Sequence, residues 1–395
     1  MTSALHLAVA LDGTGWHPAS WRSPGARPAD LLTPGYWVDL VKEAEAGTLD
    51  FVTIEDALGL QSDRPDGPDE RTDHVRGRLD AVLIASRVAP LTSRIGLVPT
   101  ATVTHTEPFH LSKALATLDY VSHGRAGWRV QVSGRAHEAG HFGRRTLPVL
   151  RPGAYDSPAA AKVVEELFEE AGDYVEVVRR LWDSWEDDAE IRDAATGRFI
   201  DRAKLHYISF DGRYFSVKGP SITPRPPQGQ PLVTALAHAS IPYAFAAHSA
   251  DLAYVTPGAA DHARKIVAQV PLPHVFADLV VFLADTEQAA RDAKERLDTL
   301  DRAVYTSDAA IFTGTPAQLA DLLLDWQAAG LTGFRLRPGR LPDDLVQITR
   351  GLVPELRRRG AFRTAYESST LRGLLGLDRP ANRYVSRVDE GARVA

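Results

Sequence analysis

The stretch RIGLVPTATVTHTEPFHLSKALATLDYVSHGRAGWRVQVS, from Arg94 to Ser133, constrains this chain more than any other, because it sets strand, loop, helix and strand in direct succession. Ile95 to Val103 is a β-branched run that leads into Thr104 and His105. Pro108 suits the first turn of a helix, where a missing N–H costs nothing. Leu111, Leu115, Leu118 and Val121 recur at helical spacing, and Gly124 follows where helices commonly end in a left-handed residue. Ala126 to Val132 opens the next strand. A short crossover helix between two strands predicts that they pair in parallel, with right-handed connection.

The same alternation runs through the chain. Strands are expected to begin near Leu5, Phe51, Ile95, Gly127, Leu232, Ala253, Phe276 and Gly333. Helices follow them at about Tyr36 to Ala46, Leu79 to Ala89, Pro108 to Ser122, Val163 to Trp185, Pro242 to His248, Ala259 to Gln269, Glu287 to Leu300 and Asp343 to Arg359. Eight strand-helix units predict an α/β fold, a (β/α)8 TIM barrel. All 395 residues read as one barrel domain, with a C-terminal extension at about 360–395. Residues 186–230, rich in Asp, Arg, Gly and Pro, read as an insertion carrying a hairpin around Phe210 to Val217. The long loops Gly13 to Thr33 and Gly59 to Val75 follow the first two strands. In a barrel such loops lie at the C-terminal face, where active sites form.

Composition narrows the chemistry. Lys and Arg number 45 against 51 Asp and Glu, and no run of like charge points to nucleic acid or an anionic membrane as a partner. The absence of cysteine excludes disulfides and thiolate nucleophiles, so redox chemistry must use a cofactor. The N-terminal MTSALHLAVALDG lacks a basic stretch and a long apolar run, so cytoplasmic residence is expected.

Several polar residues stand at strand ends. Asp56 closes the second strand in apolar surroundings, where it projects at the barrel mouth as a functional group or as a helix cap. Thr100, Thr102 and Thr104 alternate and share one face, filling a barrel layer or meeting a ligand. His137-Glu138-Ala139-Gly140-His141 matches HExxH, but Gly134, Gly140 and Gly143 argue against the helix that would bring both imidazoles to one ion. No metal is expected.

LDFVTIED (Leu49 to Asp56), ATVTHTEPFH, TLDYVSHGRAGW, VVRRLWDSWEDD, FDGRYFSVKGPS and VPELRRRGAFRTAY, in that order, resemble the bacterial luciferase-like flavin-dependent monooxygenases. The resemblance covers nearly the whole chain and is nearest to the branch with nitrilotriacetate and long-chain alkane monooxygenases. It implies reduced FMN as cosubstrate, a separate flavin reductase, O2, a small organic substrate and a homodimer paired through the second and third helices. It places Asp56, Thr102 and His105 beside the flavin. His105 and His17, the latter in the loop GWHPASWR, are the catalytic candidates; His17 would hydrogen-bond the substrate or the oxygenated cofactor, or else stand solvated in its loop.

Three positions depart from the family pattern. Arg129 replaces an amide on the fourth strand, and Phe168 stands where a Tyr is expected. Ala237, His238, Ala239 and Ser240 occupy a phosphate loop that usually carries glycine. Backbone N–H groups at a helix N-terminus can hold a phosphate without glycine, with Arg129 and His238 available to pair with it. A remodelled pocket would point instead to a deazaflavin-dependent oxidoreductase, or to a cofactor-poor paralogue that binds a ligand or a sister subunit.

Overall fold

A computed structural model describes residues 5–62, 64, 66–149 and 157–385. Nine strands form the main sheet: β1 (His6–Leu11), β2 (Phe51–Ile54), β3 (Gly96–Thr102), β4 (Gly127–Gln131), β5 (Leu232–Leu236), β6 (Leu252–Val255), β7 (His274–Leu283), β8 (Ala310–Gly314) and β9 (Gly333–Pro338). β1 to β7 pair in chain order, β7 pairs β9, and β9 returns to β1, so these eight close a parallel barrel. Thr100 faces Arg129 and Thr102 faces Gln131 across the parallel β3/β4 ladder, as the short crossover requires.

The long helices are α1 (Pro34–Ala46), α2 (Ala81–Val88), α3 (Pro108–Val121), α4 (Ala136–Phe142), α5 (Pro158–Asp183), α6 (Ser240–Ser249), α7 (Ala260–Val267), α8 (Glu287–Asp301) and α9 (Pro316–Ala328). None among the described residues is long and apolar enough to cross a membrane. The helix expected over Asp343 to Arg359 is divided, with a wider-turned segment at Ile348–Leu352 between two α-helical pieces. Within the insertion, Glu190–Asp193 pairs Arg198–Ile200 and Phe210–Asp211 pairs Ser216–Val217, both antiparallel.

Two further features depart from expectation. β8 and α9 are additions to the eight expected units. β7 is longer than β6, and once β6 ends, Leu279 to Leu283 pair with β8 instead. Unpaired backbone polar groups on the longer strand find their partners this way. The second departure is the HExxH segment, which does form the short helix α4; Gly143, at φ 65°, ends that helix rather than preventing it.

Alternation along the strands sends every second side chain into the barrel. The lower layer is apolar: Phe51, Val98, Leu232, Tyr254 and Phe276 pack against Leu371 and Leu375 of the C-terminal extension, which plugs this end. A Cβ on Gly96 would lie 2.6 Å from Leu371 Cδ1, so the bare glycine makes room for the plug. The next layer up is charged, and it forms the floor of the site.

Candidate active site

A cavity of about 690 Å³ opens at the C-terminal ends of the strands, between β2, β4, β5 and the helices α5 and α6. Barrel enzymes build their sites at this face. Glu55, Arg129 and Gln131 line its base. Phe168 on α5 and Phe245 on α6 meet edge to face, with ring centroids 5.5 Å apart, and make an apolar wall. A smaller chamber of about 260 Å³ adjoins it under the β1 and β2 loops, and the two share Asp12, Trp16, Ala57, Ser62, Arg78 and Arg135.

The base is an ion network inside the barrel. Arg129 donates from Nη2 to Glu55 and, at 3.0 Å, to the Gln131 side-chain oxygen, and from Nε to the Thr100 hydroxyl at 2.9 Å. Arg335 reaches Glu55 at 3.0 Å and also holds Asp278; Arg337 joins Asp278 to Asp308. Burial alone pushes Glu55 and Asp278 up, yet the surrounding guanidiniums more than offset it and hold both carboxyls below their usual range. Both are ionised at neutral pH. The Gln131 amide donates to the Asp56 carbonyl at 3.0 Å, tying the end of β4 to that of β2.

Asp56 accepts from Ala57 N–H at 2.8 Å and from Ala81 N–H, the first residue of α2, at 2.9 Å. It therefore anchors α2 while lining the cavity, and burial raises its pKa. His17 is buried in the smaller chamber's lining. Its Nδ1 accepts from Ala19 N–H at 3.1 Å, so the proton sits on Nε2, 3.1 Å from Asp298. Nδ1 braces the loop itself, and Nε2 ties it to α8.

Thr102 accepts weakly from Gln131 at 3.4 Å and lines a groove of about 330 Å³ between α2 and α3, not the main cavity. His105, at φ 75°, is buried against Phe142 with ring centroids 5.4 Å apart; neither ring nitrogen has a hydrogen-bond partner, and it lines neither chamber. The fold thus brings Asp56, Arg129, Phe168 and His238 to one cavity and His17 to its neighbour, and leaves Thr102 and His105 outside both. Ala237 is buried behind β5, while His238, Ala239 and Ser240 are exposed at the start of α6.

Glu55, Gln131, Asp278, Arg335 and Arg337 were not expected at the site. The signal for Asp278, Arg335 and Arg337 lies in GFRLRP and HVFADLVVFL, where charges occupy alternate or interior positions of strands that a barrel buries on both faces. In α4, Glu138 accepts from the Ser133 hydroxyl at 2.6 Å, and the rings of His137 and His141 stand 6.3 Å apart at right angles. Among the described residues, no group of three or more His, Asp or Glu is arranged to hold a metal.

Residues 15–307 match the family described as luciferase-like monooxygenase. The chain belongs to that family. This luciferase-like monooxygenase is 30% identical to the N-acetyl-S-(2-succino)cysteine monooxygenase of Bacillus subtilis (strain 168), with 96% of this chain and 98% of the relative covered. It is 28% identical to nitrilotriacetate monooxygenase component A of Aminobacter aminovorans, over 96% and 97% of the two chains. Among solved structures, a long-chain alkane monooxygenase superposes with a TM-score of 0.83 at 22% identity, covering 95% of this chain and 96% of the other, which shows the shared fold. The chain is a flavin-dependent monooxygenase that acts on a small organic substrate.

Proposed function

We propose that the cosubstrate is reduced FMN, supplied by a separate flavin reductase, and that it occupies the larger cavity. The observation that carries this reading is the start of α6. Ala239 is extended and no side chain caps the helix, and His238, immediately before it, lines the cavity, so the first amides of α6 are available to a ligand that reaches past His238. Such a helix end suits a phosphate even without glycine. The cavity volume also lies within the range usual for cofactor sites.

In this reading His238, Ala239 and Ser240 hold the phosphate, and Phe168 with Phe245 keeps water from the ring. Gln131 and Arg129 offer polar groups from the base, and Asp56 keeps α2 in place at the mouth. When bound, reduced flavin supplies the electrons that activate O2; the protein orients the reactants and excludes water. The nitrilotriacetate relative carries the name component A, which supports a second component here. A homodimer is supported by Leu83 of α2, which is 69% exposed beside the α2/α3 groove. Work with a diffusible reduced flavin favours the cytoplasm, where a reductase can deliver it.

The test is anaerobic titration of reduced FMN, oxidised FMN and riboflavin, followed by O2 uptake in the presence of a flavin reductase and NADH. FMN should bind more tightly than riboflavin. Failure of every flavin to bind would overturn the reading.

A further inference from the structure

The smaller chamber has a charge imbalance that the flavin does not account for. Among the described residues, three guanidiniums line it, those of Arg76, Arg78 and Arg135, against the single carboxylate of Asp12. Arg78 is paired with Asp12 at 2.7 Å, and Arg76 is paired with Asp69, which lies outside the lining. In the larger cavity Arg129 is paired with Glu55 and Arg64 with Asp66. Arg135 has no carboxylate partner among the described residues. It lines both chambers, where the end of β4 turns into α4, and only its backbone is bonded, through its N–H to Ser133 and its carbonyl to Ala139.

The other polar groups of the chamber are already engaged. Gln61 bridges both backbone groups of Gly77, Ser62 serves Gly67 and Asp69, His17 holds Ala19 and Asp298, and His74 bonds Asp301 at 2.5 Å. Among the described residues, a substrate entering here therefore meets one uncommitted cation and little spare hydrogen-bonding capacity. A planar guanidinium matches a carboxylate with two parallel bonds. We propose that the smaller chamber is a carboxylate-binding subsite and that Arg135 selects a substrate bearing two or more carboxylates, the oxidised carbon being presented to the larger cavity. This inference rests on the flavin reading above, because it takes the larger cavity as the place of oxidation.

The experiment is calorimetric titration of the full-length protein with propane-1,2,3-tricarboxylate and with its uncharged trimethyl ester, using wild type, Arg135→Gln and Arg135→Lys, each also titrated with FMN. Arg135 is exposed, so these substitutions leave the fold intact. The acid should bind wild type and the ester should not. Arg135→Gln should weaken the acid by about tenfold or more, and Arg135→Lys by less, because a point charge loses the two-pronged geometry. FMN affinity should stay the same in all three. Equal binding of acid and ester, no binding of the acid to wild type, or an unchanged constant in Arg135→Gln would overturn the proposal. A loss of FMN rather than of acid would assign Arg135 to the phosphate and overturn it too. Absence of flavin binding by wild type, with acid binding intact, would sink the flavin reading and leave the anion subsite standing.

Discussion

Arg335 grips Asp278 inside the barrel by two bonds, its Nε and Nη2 lying 2.7 and 2.5 Å from the two carboxylate oxygens. The pair sits above the apolar layer and supports Glu55, so the charge balance of the whole cavity base depends on it. Asp278→Ala leaves Arg335 and Arg337 buried beside too little negative charge. The loss should be about 3 to 5 kcal/mol, read as a fall in the urea midpoint. Asp278→Leu combined with Arg335→Met, which removes both charges, should recover most of it; a double variant no better than the single one would contradict this account.

Arg129 lies under the cavity, bound to Glu55, whereas His238 borders it just before the start of α6. Its removal should therefore act on the base of the cavity rather than on the phosphate. Arg129→Ala is expected to weaken FMN and riboflavin by similar factors, together with a stability loss of about 3 kcal/mol from the stranded Glu55. A loss confined to FMN would place the guanidinium on the phosphate.

The open amides of α6 make an opposite prediction for Ser240. Ser240→Asp puts a carboxylate where the phosphate would sit, and repulsion should weaken FMN by roughly tenfold, or about 1.4 kcal/mol. Riboflavin, which lacks the phosphate, should bind as before. Parallel loss of both ligands, measured by fluorescence titration, would count against the helix end as the phosphate site.

His17 carries a pH signature. Burial lowers its pKa, partly offset by Asp298, and Nδ1 already accepts from Ala19. Protonation would break that bond. The folded state thus resists a proton that the unfolded chain accepts below about pH 6.5. The His17 contribution is complete above that pH and is lost as pH falls toward the folded value. Urea melts at pH 7.5 and 5.5 should show wild type losing more stability on acidification than His17→Gln, by up to about 1.4 kcal/mol per pH unit. Parallel curves would show that His17 does not titrate in this way.

Much of the barrel is legible in local patterns. The β3-α3-β4 unit is written in Pro108, the Leu111 to Val121 stripe and Gly124, because helix starts, faces and ends depend on residues within a few positions of one another. β8 was less visible: AIFTG is short, and it exists because β7 outruns β6, a relation between segments and not a property of either. Its helix did carry a signal, the capping box of Thr315 and Gln318. The glycines around HExxH were read as breaking a helix, although Gly143 is where that helix ends.

The sequence by itself determined the strand and helix units, their order, and hence the parallel ring, since hydrophobic periodicity and crossover handedness are local rules. Only the tertiary structure decided which polar residues meet. Arg129, Asp278 and Arg335 lie on three different strands and Glu55 directly follows a fourth, and closing the ring brings their inward side chains into one network whose charges balance only together. The same closure left Thr102 outside the cavity lining with its hydroxyl against Gln131, packed His105 against Phe142 and put Arg135 between the two chambers, because which side chains meet at the barrel mouth depends on how loops from different strands converge, a relation that no single segment carries.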